Sequence, residues 1–308
     1  MAGRSGTRTA AGGLRVLVDA YEQVQRLRLQ TGERLRAVLQ GRDGSPPRGP
    51  ALPDQPADTL QRIRRGECDG PVPFLGRLYR RLHEEERALL AALETELAGH
   101  PAWPWLGRVR GIGPSLAGRL LARLDVERAA TPSSFWAYCG LATVPGRAYR
   151  CDPCGLRASF PEGYRVTGGH QALGRRGPCP GTLRDTGDPD ARVAQPRAPR
   201  GAGRDYNPGA KAACYLAGVS FLKAGGPYAD RYRAERARLD AERPGWTGKR
   251  KHLGALRKTE KLFLSHLWRV WREAAELPVV PPYIHAAHPD AAYLDPWTMA
   301  GPGERGRA

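Results

Sequence analysis

Cys151, Cys154, His170 and Cys179 are the residues whose types and spacing point most directly to chemistry. They read C-x2-C-x15-H-x8-C, and Gly155 after the first pair lets backbone amides turn toward two thiolates. Three sulfurs and an imidazole are soft or borderline donors suited to a tetrahedral structural Zn2+ ion. A redox C-x-x-C needs a βαβ setting, which the surrounding pattern lacks. Two further readings stay open. Cys179 stands alone where a zinc ribbon carries a second pair, as in a site that has lost its metal, or the thiols are unliganded. Cys68, Cys139 and Cys214 fall in helical patterns and read as small buried residues.

A second constellation is Arg110-Gly111-Ile112-Gly113-Pro114-Ser115, between two helical patterns. Glycines on either side of one aliphatic residue permit a tight turn with positive φ, which leaves unpaired amides at a helix start facing any anion that approaches. The pattern is that of a helix–hairpin–helix, with Arg110, Gly111, Ile112, Gly113 and Ser115 expected against a phosphate backbone. Its bland counterpart is an ordinary turn in a helical core. A third constellation is Lys249, Arg250, Lys251, Arg257, Lys258 and Lys261, expected as phosphate contacts at the start of the last helix, or as a solvated basic face.

The 308 residues carry a net charge of +18, which points to a polyanionic partner, with DNA first and structured RNA second. No apolar run approaches the ~18 residues of a membrane span, so no membrane partner is expected. The polar start lacks the apolar core of a secretory signal, and a cytoplasmic protein is expected.

The elements that must position these residues are mostly helices. Residues 1–13 are expected to be disordered. Within 14–100, Leu14, Leu17, Tyr21, Val24, Leu27, Leu35 and Val38 mark one long amphipathic helix, and Leu75, Leu78, Leu82, Leu89, Leu93 and Leu97 mark another. A Pro-rich linker, 42–56, separates them. The first helix suits an antiparallel intramolecular pairing or a homo-oligomeric coiled coil. Residues 101–146 hold the hairpin and a short helix opened by Thr131-Pro132, and 147–204 hold the cysteine element and a basic loop with 11 Arg against 5 acidic residues. Residues 205–283 are helical again, opened by Asn207-Pro208 as cap and first position, and 284–308 form a tail. The expected class is mainly α: a helical bundle with a helix–hairpin–helix and an inserted small zinc-ribbon-like element.

The hairpin, the Ser134-Phe135-Trp136-Ala137-Tyr138-Cys139-Gly140-Leu141 run, the helix from Asn207 to Lys223 and the helix from Gly248 to Trp271 occur in an order that resembles a known family. They are similar to the C-terminal half of insertion-sequence transposases of the IS-one-ten and IS-one-sixteen type, the recombinases guided by a bridge RNA. The resemblance covers about Leu14 to Tyr283, and its specific parts are the hairpin and the A-Y-C-G-L-A-T-V-P segment. It implies nucleic-acid binding in DNA transposition and recombination. The family's acidic RNase-H-like domain and its Ser-Gly nucleophile have no counterpart at the expected places, and Thr167 before Gly168 is a degenerate stand-in for the serine. The expectation is therefore a transposase-family protein without its own nuclease activity. The alternatives are a transposase completed by a separate catalytic chain, and a zinc-ribbon and helix–hairpin–helix module of repair or replication.

Overall fold

Apolar residues at three- and four-residue steps make helices the natural packing solution for most of this chain. The computed structural model describes residues 4–41, 56–166, 169–172, 177–189, 191–194, 205–280 and 294–301. The fold is mainly helical with one small antiparallel sheet. It divides into two compact units, Met1–His100 with Ala117–Ala122, and Pro101–Leu116 with Arg123–Ala308. Among the described residues no helix is long and apolar enough to cross a membrane.

Unit 1 contains α1 (Arg4–Leu39), α2 (Pro56–Arg64) and α3 (Pro73–Ala98). Gly13 lies by Glu96, Arg28 pairs with Glu86, and Gly32 lies against the Tyr79 ring, so α1 and α3 run antiparallel. Leu14, Val18, Tyr21 and Leu35 are buried on one helix, and Tyr79, Leu93 and Leu97 on the other. Arg28 would be an isolated charge in this seam. Glu86 compensates it, while also accepting from Gln25 Nε2 at 2.9 Å. The helix begins at Arg4, within the 1–13 stretch expected to be disordered, and residues 1–3 lie outside the described residues. Extending a nucleated helix adds one hydrogen bond per residue fixed, and the Gly12-Gly13 pair does not interrupt it. Residues 42–55 of the expected linker lie outside the described residues.

Unit 2 contains α4 (Trp103–Leu106), the first turn of α5 (Pro114–Leu121), α6 (Pro132–Tyr138), strands β1 (Thr143–Arg150), β2 (Arg157–Pro161), β3 (Arg184–Asp185) and β4 (Arg192–Ala194), then α7 (Pro208–Ala224), α8 (Pro227–Glu242), α9 (Gly248–Ala274) and a short α10 (Pro296–Ala300) within the expected tail. Helices α6, α7 and α8 all pack on α9. Phe263 of α9 stacks with Trp105 at 5.9 Å and meets Phe221 and Tyr228 edge-on at 5.1 and 5.6 Å, which makes an aromatic core. Arg272 is buried there because its guanidinium donates to the carbonyls of Val126 and Ala129, at 2.9 and 3.0 Å. At the start of α7, Asn207 Oδ1 accepts from the Ala210 amide at 2.9 Å, with Pro208 at the first helical position.

Strand β1 is central and pairs antiparallel with each of the other three. Gly146 lets it pass close to β2, since a Cβ there would stand 2.6 Å from the Phe160 carbonyl oxygen. The basic loop expected to run to residue 204 is corrected in part: 184–185 and 192–194 are strands, and 195–204 lie outside the described residues. Strands of two and three residues are too short to show a period in sequence, and their pairing to β1 is what orders them.

Candidate functional site

The C-x-x-C segment is the turn that joins β1 to β2. The Cys151 amide donates to the Leu156 carbonyl at 2.9 Å and the Gly155 amide to the Cys151 carbonyl at 2.7 Å, with Gly155 at φ +70°. A second turn supplies the other two donors: the Cys179 amide donates to the His170 carbonyl at 2.8 Å, and Gln171 bridges Pro178. All four ligand atoms lie within 4.8 Å of one another. Cys151 Sγ is 3.7 Å from Cys179 Sγ, and Cys154 Sγ is 3.2 Å from His170 Nε2. A disulfide would bring two sulfurs to about 2.05 Å, whereas two thiolates on one tetrahedral ion stand ~3.8 Å apart.

This Cys3His cluster can hold a metal ion. Burial, with the neighbouring Cys154 and Cys179 thiols also hydrogen-bonded to it, pushes the Cys151 thiol up to about 11. A metal would displace that proton, because the ligand form of cysteine is the thiolate. Gly181 closes the site from one side. Its amide donates to Cys179 Sγ at 3.4 Å, and a Cβ there would stand 2.7 Å from Cys151 Sγ. Thr167 and Gly168 lie outside the described residues.

At the hairpin, Gly111 has φ +91° and its carbonyl accepts from Ser220 Oγ at 2.6 Å, so the turn is docked on α7. Gly113 is exposed, a Cβ placed on it would have no neighbour within 4 Å, and its φ is not positive. Ile112 is buried at 5% exposure, so its side chain anchors the turn to the core. Arg110 is exposed and Ser115 half-buried.

The six cations of the last helix do not form one free face. Lys251 is buried and paired with Asp240 at 3.0 Å, and Lys258 pairs with Glu235 at 2.8 Å. Both lysines link α8 to α9, and Lys258 does so from an exposed position. Arg250 lies over the Trp246 ring at 4.1 Å, and Lys249 is exposed. Arg257 and Lys261 are half-buried and make no ion pair among the described residues. Burial, then the charges of Arg257, Arg192 and Lys258, holds Lys261 below the usual lysine value. Arg257 is also held down, by burial and against the pull of Glu260.

Sequence reasoning misses two members of this patch. Arg192 sits in a segment that reads as loop, and its guanidinium donates to Thr143 Oγ1 and the Thr143 carbonyl at 3.0 and 2.8 Å. Trp136, in the aromatic Ser134–Leu141 run, is half-buried, with Lys261 Nζ 4.0 Å from its ring centre. Only the pairing of β4 to β1 and the packing of α6 on α9 bring these residues together. Comparison with known protein families finds no family model that matches this sequence, and no curated protein matches it either.

Proposed function

We propose that this chain is a nucleic-acid-binding protein of transposase type, whose second unit grips a phosphate backbone and whose Cys3His cluster holds a structural zinc ion. The observation that carries the proposal is the patch formed by Lys261, Arg257 and Arg192. Three cations meet there, and the charged forms of Lys261 and Arg257 are disfavoured by burial, with mutual repulsion adding to it at Lys261. The charges that act on Lys261 are all positive. Glu260 offsets part of the charge of Arg257, and a polyanion would supply counter-charge to Lys261 on binding. The transposase part rests on the order of the sequence motifs that resemble that family.

Four donors complete a tetrahedron and leave no position for a water, so zinc here would organise the chain and take no part in chemistry. The ligands come from two turns that are 16 residues apart at their nearest members, Cys154 and His170, so the ion would fix how those turns face each other. The hairpin at Gly111–Ser115 fits a helix–hairpin–helix role, with the exposed Gly113 as the point of closest approach to a phosphate. A labelled DNA duplex titrated with wild-type protein and with K261Q/R257Q tests the reading. The double variant should bind at least ~10-fold more weakly at about 100 mM salt, and equal affinity would show that the patch plays no part in binding.

A further inference from the structure

Strand register places three arginines in one row. Arg150 at the end of β1 stands directly opposite Arg157 of β2 on one side and Arg184 of β3 on the other. Directly opposed residues of an antiparallel sheet project from the same face, so the three guanidiniums share it. All three are exposed. Among the described residues the row is met by one ion pair, Arg184 with Asp152 at 3.9 Å, with both side chains largely in solvent at 79% and 65% exposure. Asp185, next to Arg184 in β3, points to the opposite face, where it meets Arg147 at 3.5 Å. Neighbouring positions on the row's face, Ala148 and Ser159, are small and uncharged.

Like charges directly opposite one another destabilise a strand pair, so a row of three is an unfavourable arrangement for the free protein. It is held by its flanks. Arg150 immediately precedes Cys151, Arg157 follows Cys154 by three residues, and Arg184 follows Cys179 by five. The turn that carries the metal ligands therefore fixes the register that aligns the arginines, and ion binding in such an element is largely folding energy.

We propose that Arg157, Arg150 and Arg184 form a phosphate-binding row for consecutive phosphates of a nucleic-acid strand, aligned by the Cys3His turn. The row spans ~10 Å at the backbone, at the usual ~4.8 Å between strands, and the long arginine side chains can fan out from it toward neighbouring phosphates of one strand. Planar guanidiniums suit this role because each can bond a phosphate through two N–H groups. The row reads no bases, so its contribution is independent of sequence. The inference rests on the nucleic-acid reading above, and it adds a contact surface on β1–β3 that does not involve Lys261 or Arg257.

The test measures the salt dependence of duplex affinity for four zinc-loaded full-length proteins. These are wild type, R150Q/R157Q/R184Q, R150K/R157K/R184K, and a charge-matched control, R15Q/R26Q/R34Q, changing exposed arginines of α1. The glutamine triple in the row should lower the slope of log affinity against log salt by roughly 2.7 units, about 0.9 for each phosphate no longer neutralised. The lysine triple should keep most of the slope, and the α1 control should match wild type. Zinc content equal to wild type in the glutamine triple shows that the turn is intact; if it falls, the single variants R150Q, R157Q and R184Q, each expected to lower the slope by about 0.9, carry the comparison. Wild-type behaviour of the glutamine triple overturns the row while leaving nucleic-acid binding standing. Equal losses in the row and in the α1 control overturn it too, as a mere net-charge effect. Wild-type protein that binds no duplex at any salt removes both the row and the function it rests on, and equal binding of a polyglutamate peptide would replace nucleic acid by an acidic protein.

Discussion

The Lys261 ammonium lies 4.0 Å from the centre of the Trp136 ring, and the indole N–H of the same ring donates to the Lys261 carbonyl at 2.9 Å. One aromatic side chain thus holds both the backbone and the charge of the residue at the middle of the cationic patch. Replacing Trp136→Phe keeps a ring beneath the ammonium but removes the N–H bond, which should cost about 1 kcal/mol of stability. Duplex affinity should fall three- to ten-fold, about 0.7 to 1.4 kcal/mol, as Lys261 loses its anchor. Urea unfolding and fluorescence anisotropy measure the two effects. A destabilised variant with unchanged affinity would make Trp136 a purely structural residue.

The two hairpin glycines separate fold from binding. Gly111 has φ +91° and no room, since a Cβ would stand 2.9 Å from the Ser220 carbonyl oxygen, so Gly111→Val should destabilise the fold by roughly 2 kcal/mol or more. Gly113 has room within the protein, so Gly113→Val should leave the melting temperature near wild type. If the turn touches a phosphate, that same change should weaken duplex binding about tenfold, roughly 1.4 kcal/mol. Full affinity in a folded Gly113→Val protein would leave the hairpin as a core turn.

Metal removal should act locally. The purified protein should carry about one zinc per chain by elemental analysis, and a chelator should release it. Hydrogen exchange should then speed up across 143–161 and 177–194 while the helices of unit 1 stay protected. Gly181→Ala should weaken zinc binding, because the added methyl would stand 2.7 Å from Cys151 Sγ. Metal-free protein with the same exchange pattern as the zinc-loaded form would show that the four donors do not hold the sheet.

Glu260 gives the fold a pH dependence. It is buried beneath Gly218, its Oε1 has no hydrogen-bond partner among the described residues, and burial pushes its carboxyl up to about 7 against the opposing charges of Arg257 and Lys211. The folded chain binds this proton more tightly than the unfolded chain. Stability from this group is therefore full below about pH 4.5, falls as pH rises toward 7, and is flat beyond, with a total on the order of 3 kcal/mol at most. Glu260→Gln should flatten that slope and be more stable than wild type at pH 8. Parallel pH profiles for the two proteins in urea unfolding would place the dependence elsewhere.

Local chemistry is legible in the sequence, and pairing across elements is not. Asn207-Pro208 caps α7 as its residue types require, and Cys151, Cys154, His170 and Cys179 do converge, because a turn-forming C-x-x-C-G specifies its own geometry. The apolar spacing of α1 and α3 likewise marks the two long helices of unit 1. The basic character of the last helix is plain, yet Lys251 and Lys258 are neutralised by Asp240 and Glu235, which arrive on a different helix. Arg192 and the row of Arg150, Arg157 and Arg184 depend on strand register, and β3 and β4, at two and three residues, are too short to carry a periodic signal. Ile112 shows the opposite limit: its place in a turn motif is plain from its neighbours, but the chain uses it to bury the turn.

The central claim is that a metal-ordered second unit binds nucleic acid through its phosphates, and the most direct measurement is duplex affinity against salt, taken on the same preparation before and after zinc removal. The zinc-loaded protein should show log affinity falling linearly with log salt between about 50 and 200 mM, and the chelated protein should bind more weakly with a shallower slope. A zinc-loaded protein whose affinity is flat across that range would contradict the claim.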